Sequence, residues 1–220
     1  MGLNISKGNM YPFVTHTWNA VKGRCAHDCS YCYMKRFPQT PTRLDRDEFK
    51  TDLGEGNFIF VGSSCDMFAD AIPDEWIMDT LTYCLMFKNK YLFQSKNPAR
   101  FEKYAQAFDL VKTILGTTIE TNRYYPEMGH TLTPLRRAIS MGRLANTHKT
   151  MLTIEPIMDF DTVSLLQLVT MCRPEWVNIG ADSMNSKLPE PDAAKVNELI
   201  DSIKGAGIEV KLKSNLKRLL

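Results

Sequence analysis

The sequence has almost no charge excess of either sign: 27 lysines and arginines stand against 25 aspartates and glutamates, a net of +2. So small a surplus does not wrap a polyanion by charge alone, and extended electrostatic binding of nucleic acid is not predicted. Also missing is any apolar run near the roughly 18 residues that a bilayer span needs, and the N-terminus lacks the apolar stretch of a secretory signal. These absences predict a cytoplasmic protein with no membrane partner. No internal repeat, low-complexity tract or Gly/Ser linker divides the chain. At 220 residues and 44% hydrophobic, the expectation is one domain over residues 1–220, acting as a monomer.

Cysteine is scarce as well, and its distribution is informative. Of six cysteines, Cys25, Cys29 and Cys32 fall within eight consecutive positions, while Cys65, Cys84 and Cys172 are scattered. A disulfide framework needs a short, cysteine-dense, secreted chain; a cluster in a reduced compartment points to metal or redox chemistry. Cys84 and Cys172 fall on apolar helix faces and read as packing residues.

Short apolar runs alternate with longer helical patterns. Strands are predicted at 13–18, 58–61, 91–94, 113–118, 150–154, 176–179 and 209–212. Asn97-Pro98 and Thr133-Pro134 each set a capping side chain before a proline suited to the first helical turn, and Asp161 is placed to cap a further helix. Phe101, Tyr104, Ala105 and Phe108 recur at i, i+3, i+4 and i+7 and paint one helix face. Strand, helix, strand in repeated order predicts parallel strands joined by right-handed crossovers, and about seven strands fall short of a complete eight-stranded barrel. The fold class is therefore α/β, an incomplete barrel or open parallel sheet, with ligands bound at the carboxyl ends of the strands.

The loop after the first strand carries Cys25-Ala-His-Asp-Cys29-Ser-Tyr31-Cys32, a Cys-x3-Cys-x-aromatic-Cys spacing. Three thiolates can each hold one iron of a [4Fe-4S] cluster and leave the fourth iron open, whereas an electron carrier closes that corner with a fourth cysteine. A structural zinc site is the competing reading, with His27 or His16 as fourth ligand, and it would make the chain a zinc-stabilised nucleic-acid or protein binding module. No second cysteine pair of the zinc-ribbon kind is present. His27 itself, between two ligands, is expected to face solvent.

The spacing resembles the signature of the radical S-adenosylmethionine (SAM) enzymes. That resemblance implies a partial (β/α)6 barrel and SAM held on the open iron of a [4Fe-4S] cluster. It further implies reductive cleavage to a 5′-deoxyadenosyl radical that abstracts hydrogen from a substrate, and an external one-electron reductant such as flavodoxin or ferredoxin. Within it Cys25, Cys29 and Cys32 are the metal ligands, with Tyr31 the aromatic that precedes the last. The second strand ends in Ser63, Ser64, Cys65 and Asp66, where many relatives carry a Gly-Gly-Glu segment for the SAM amino group; hydroxyl and carboxylate oxygens suit an ammonium equally well. Lys96 stands where the SAM carboxylate needs a counter-charge. Thr118 and Glu120, on one side of the fourth strand by alternation, are matched to the ribose hydroxyls, and Glu155, before Pro156, is placed at the mouth to touch SAM or substrate.

Together with Glu155-Pro156, the Ser63-x-x-Asp66-x-Phe68 segment is similar to a compact, phage-associated branch of this superfamily. Cys65 gives a further similarity, to the spore photoproduct lyases, which place a hydrogen-donating cysteine near the end of the corresponding strand. The substrate is not named by any motif. Nucleic acid or a nucleotide is suggested, with peptide and small metabolite as the alternatives, by basic and aromatic residues expected near the mouth, among them Lys22, Arg24, Tyr33, Lys35, Arg36 and Arg43, with Arg123, Arg136 and Arg137 later in the chain.

Overall fold

The computed structural model describes residues 2–7 and 10–220. A short strand β1 (Asn4–Ile5) precedes β2 (His16–Trp18), and β3 (Val21–Lys22) pairs with β4 (Arg43–Leu44) as a separate antiparallel ribbon. Then β5 (Phe58–Val61), α1 (Asp74–Leu85), β6 (Lys90–Gln94), α2 (Ala105–Leu110), β7 (Lys112–Thr118) and α3 (Pro134–Leu144) alternate. The pattern continues through β8 (Lys149–Ile154), α4 (Thr162–Cys172), β9 (Trp176–Ile179), α5 (Ala193–Gly205) and β10 (Glu209–Leu212).

The main sheet runs β1-β2-β5-β6-β7-β8-β9-β10, parallel from β2 onward, with β1 antiparallel at its edge. Among the described residues no pairing joins the two edges. The architecture is the partial, open barrel of parallel strands anticipated from the strand-helix order. No helix among the described residues is long and apolar enough to cross a membrane.

Alternation along the strands sorts the core into two layers. Ile59, Val61, Tyr91, Phe93, Leu115, Leu152, Ile154, Val177 and Ile179 face the helices and bury Ile77, Leu81, Phe101, Phe108, Met141, Leu165 and Leu199 with them. Each such side chain stabilises the fold by roughly 1.5–3 kcal/mol. The opposite residues, Phe58, Phe60, Leu92, Ile114, Met151 and Trp176, point into the barrel. That interior is filled by an element the periodicity did not reveal. Residues 10–14 leave the sheet and insert Tyr11 and Val14, with Phe13 packed beside them, among those inward side chains. The first long strand is therefore shorter than the predicted 13–18, because Phe13 and Val14 have plugging work to do.

Two predicted caps act elsewhere. Asn97 donates from Nδ2 to the Phe68 carbonyl at 3.2 Å and to Asp70 Oδ1 at 2.8 Å, and the chain after it begins as a tight 3-10 turn, Pro98–Tyr104, before α2. Asp161 precedes α4, yet its carboxylate is taken by Arg123 and Asn122. Thr133 does cap α3, its hydroxyl accepting from the Arg136 N–H at 3.4 Å.

Candidate functional site

The carboxyl ends of the strands open into one cavity of about 580 Å³. Cys25, Cys29, Tyr31, Cys32, Ser63, Ser64, Cys65, Asp66, Lys96, Thr118 and Glu155, all singled out from the sequence, line it. Glu120 does not. It lies behind Tyr31 and Lys96, fully buried.

The cysteine loop is held from two sides. On one side the segment after β7 braces it: Ser30 N–H donates to the Glu127 carbonyl at 2.9 Å, His130 N–H to the His27 carbonyl at 2.7 Å, and the Cys29 thiol to the Met128 carbonyl at 3.2 Å. The approach is so close that a Cβ on Gly129 would stand 2.1 Å from the His27 oxygen, and Gly129 has φ of +65°, a region open to glycine at little cost. On the other side His27 is buried, contrary to its expected exposure, because both ring nitrogens have partners. Nδ1 lies 3.1 Å from the His130 carbonyl and Nε2 2.8 Å from Asp66 Oδ2. Burial works against a charge on this ring, but Asp66 outweighs it and His27 is pushed up to about 9.

Asp66 is the hub of that clamp. Oδ2 accepts from His27, from Ser95 Oγ at 2.9 Å and from the Lys96 N–H at 2.8 Å, while Oδ1 accepts from the Phe68 N–H at 2.9 Å. Burial opposes its ionisation, yet the imidazole and the two backbone donors keep its carboxyl below the ordinary range. Asn19, which no sequence signal marked, aligns the neighbouring loop by accepting from Ser63 Oγ at 3.2 Å and Ser64 N–H at 2.9 Å.

A second buried charge group supports the far wall. Lys96 Nζ pairs with Glu120 Oε1, lies 3.2 Å from the Tyr31 hydroxyl and stands 5.1 Å over that ring. The Tyr31 hydroxyl donates to the same Glu120 oxygen. Arg137 Nη1 donates to Glu120 Oε2 at 2.8 Å, and neither side chain has any exposure. Burial alone would raise the Glu120 carboxyl, but Arg137 and Lys96 hold it well below the usual carboxylate range. Burial and the Glu120 charge push Tyr31 up. Arg137, expected on a basic surface, had a signal pointing inward: it shares the i, i+3, i+4, i+7 face of Pro134, Ala138 and Met141.

Below these groups the plug supplies Tyr11, whose hydroxyl lies 2.8 Å from both Gln94 Oε1 and Thr153 Oγ1; Gln94 Nε2 in turn donates to Thr118 Oγ1 at 3.0 Å. Burial and the charge of Glu155 raise Tyr11 well above the phenol value. Opposite the cysteines, Lys213 Nζ donates to Glu155 Oε2 at 2.6 Å and Asn215 Nδ2 to Oε1 at 3.0 Å. Of the basic residues expected at the mouth, Lys35 and Arg36 do line the cavity and Arg24 and Arg43 do not, with Tyr33 between loop and strand end, its hydroxyl donating to the Ser63 carbonyl at 2.8 Å. Lys22 is instead held by Asp45 and Glu48, and Arg123 by Asp159 and Asp161.

Three soft thiols on one wall are the kind of donor set that an iron–sulfur cluster with an unfilled corner takes. His27, the fourth ligand that a zinc site would take from this loop, has both ring nitrogens engaged, by the His130 carbonyl and by Asp66. Cys65 belongs to the same wall. Its thiol hydrogen-bonds to Cys25 and holds Cys25 below the ordinary thiol range; the same bond, with burial, pushes Cys65 up.

Comparison with solved structures identifies the fold. A cysteine-to-alanine mutant of spore photoproduct lyase superposes with a TM-score of 0.68 over 96% of this chain and 81% of that one, at 12% identity. The chain has the fold of spore photoproduct lyase. A double mutant of that enzyme, with bound AdoMet and dinucleoside spore photoproduct, matches at a TM-score of 0.63, 11% identity, and 95% and 80% coverage. The lyase complexed with dinucleoside spore photoproduct matches at 0.66, 11% identity, and 94% and 79% coverage. No protein-family model matches the chain, and no curated protein matches it in sequence.

Proposed function

We propose that this chain is a radical SAM enzyme acting on a nucleic-acid or nucleotide substrate. The observation that carries the reading is the convergence of Cys25, Cys29 and Cys32 with the polar strand ends on one cavity. Cys25, Cys29 and Cys32 would hold a [4Fe-4S] cluster, which would supply an open coordination position for SAM and the one electron for reductive cleavage of its carbon–sulfur bond.

The chain's own residues do the positioning. Lys96, held by Glu120 and Tyr31 and 18% exposed, offers the cation for a SAM carboxylate. Ser63 and Ser64 offer hydroxyl acceptors for the amino N–H groups, and Thr118 and Glu155 offer acceptors for the ribose or the substrate. Asp66 and Glu120, their oxygens already engaged, act through what they hold: the cysteine loop in one case, Lys96 and Tyr31 in the other. The Cys65 S–H is the hydrogen source for a substrate radical. Tyr33, Lys35, Arg36 and Gln39 at the mouth suit a stacked base and a phosphate. The dinucleoside ligand of the structural neighbours supports this substrate class. The similarity to a phage-associated branch rests on the Ser63-x-x-Asp66-x-Phe68 and Glu155-Pro156 segments. A reduced, cytoplasmic setting suits six unpaired thiols, and the electron comes from an external carrier such as flavodoxin or ferredoxin.

Anaerobic reconstitution with iron and sulfide, followed by dithionite and SAM, tests the proposal. Formation of 5′-deoxyadenosine by a brown protein supports it; tight zinc binding with no SAM turnover refutes it.

A further inference from the structure

The loop that carries Cys25 separates two hollows. Cys25 and Asp28 line the inner cavity and also a second, outward-facing hollow of about 330 Å³, whose other walls include Arg24, Pro41, Thr42 and His130. Cys29 and Cys32 line the inner cavity only. Cys25 is thus the ligand thiol with one side toward the cavity and the other toward the surface. The rim around it carries exposed arginines, one of them, Arg24, paired with Asp28 at 3.0 Å. Arg24 is 61% exposed, and Arg43 is exposed beside Thr42, donating to Thr40 Oγ1 at 3.0 Å. Residues 20–50 hold seven lysines and arginines against four aspartates and glutamates, a surplus of three, whereas the whole chain has a surplus of two; the remainder is slightly acidic.

We infer that this outward hollow is the docking surface for an acidic one-electron carrier protein, and that the electron enters through Cys25. The inference rests on the proposed function, since only a reductively cleaved cosubstrate requires such a donor. The carrier's flavin or iron–sulfur centre loses one electron and the cluster gains it; no bond forms or breaks. A nucleic acid also seeks basic surface, but the geometry favours the carrier. Substrate has to reach the inner cavity, where the reactive group lies, while an electron can cross the wall that Cys25 forms. Among the described residues the outward hollow also presents no Phe, Tyr or Trp on which a base could stack. Opposite net charges on the two proteins speed their encounter and fix its register, an effect that salt screens.

The test uses the full chain, reduced flavodoxin as the carrier and the double variant Arg24→Glu/Arg43→Glu. Flavodoxin affinity is measured on cluster-free protein, and SAM cleavage on reconstituted protein with either flavodoxin or dithionite. Affinity and flavodoxin-driven cleavage are expected to fall about tenfold or more, with dithionite-driven cleavage unchanged within about twofold. For the wild type, flavodoxin-driven cleavage is expected to drop between about 0.05 and 0.3 M salt. Unchanged flavodoxin affinity overturns the inference. So does an equal loss with both reductants, or a loss of oligonucleotide affinity with flavodoxin coupling intact, which would assign the surface to nucleic acid. The milder Arg24→Gln/Arg43→Gln pair guards against misfolding; it must show a smaller loss of the same kind. A wild type that cleaves no SAM even with dithionite refutes the enzymatic reading instead, and leaves the docking surface to be judged on the affinity measurement alone.

Discussion

Arg137 and Glu120 face each other without exposure, Nη1 2.8 Å from Oε2, beneath the wall of the cavity. The guanidinium also donates from Nη1 to the Thr118 carbonyl at 2.5 Å, so it ties α3 to the end of β7. Removing one partner of such a pair leaves the other charge buried and alone. Arg137→Met is expected to destabilise the fold by about 3–5 kcal/mol. Denaturant unfolding of the cluster-free protein checks this, and a loss under about 1 kcal/mol would show the pair to be incidental.

The same carboxylate gives a pH dependence. Glu120 titrates lower in the folded chain than its unfolded value near 4.3, so the folded state binds fewer protons there. Its contribution is fully present above about pH 4.3 and is lost as pH falls toward the folded value. Glu120→Gln is expected to be less stable at neutral pH and to show a shallower decline of stability on the acid side. Parallel pH–stability curves for the two proteins would contradict this.

Gly129→Ala should loosen the cysteine loop, because the new methyl carbon stands 2.1 Å from the His27 oxygen and the backbone there has φ of +65°. Reconstituted iron content should fall and loss of iron to a chelator should quicken several-fold, with global stability lowered by about 1–3 kcal/mol. His27→Phe, which removes both ring contacts, should act in the same direction. Iron retention equal to wild type in both variants would mean that the brace is dispensable.

Cys29→Ala and Cys65→Ala are expected to behave differently although both thiols line the cavity. The first should lose iron and SAM cleavage together. The second should keep both and change only the fate of the substrate radical, read as deuterium incorporation into product. Loss of iron in Cys65→Ala would make Cys65 a ligand and close the vacant corner on which the reading depends.

Lys96→Met should weaken SAM binding about tenfold or more while leaving the iron content unchanged, since the ammonium would pair with the SAM carboxylate and touches no thiol ligand in the hydrogen-bond network. Equilibrium binding of SAM to the reconstituted protein measures it. Unaltered affinity would confine Lys96 to holding Glu120.

Much of this molecule is legible in its sequence because parallel strands buried on both faces read as short apolar runs, such as Phe58–Val61 and Trp176–Ile179, and because Cys25, Cys29 and Cys32 are consecutive in one loop. What escaped was non-local. Tyr11 fills the barrel from a segment with no periodicity, and Asn19 and Gly129 matter only for what lies across from them. Asn97 and Asp161 occupy cap positions, but tertiary partners outbid the helix ends for their side chains. Glu120 alternates correctly with Thr118; that a tyrosine and a lysine would cover it is not written in the strand.

The plug formed by residues 10–14 has a consequence for the breadth of chemistry this scaffold can host. Because Tyr11 lines the chamber from a segment that belongs to no strand, a bulkier or slimmer side chain there would alter how large a guest the chamber admits while the strand pairings stay as they are. Guest size and barrel architecture are thus separately adjustable in this protein.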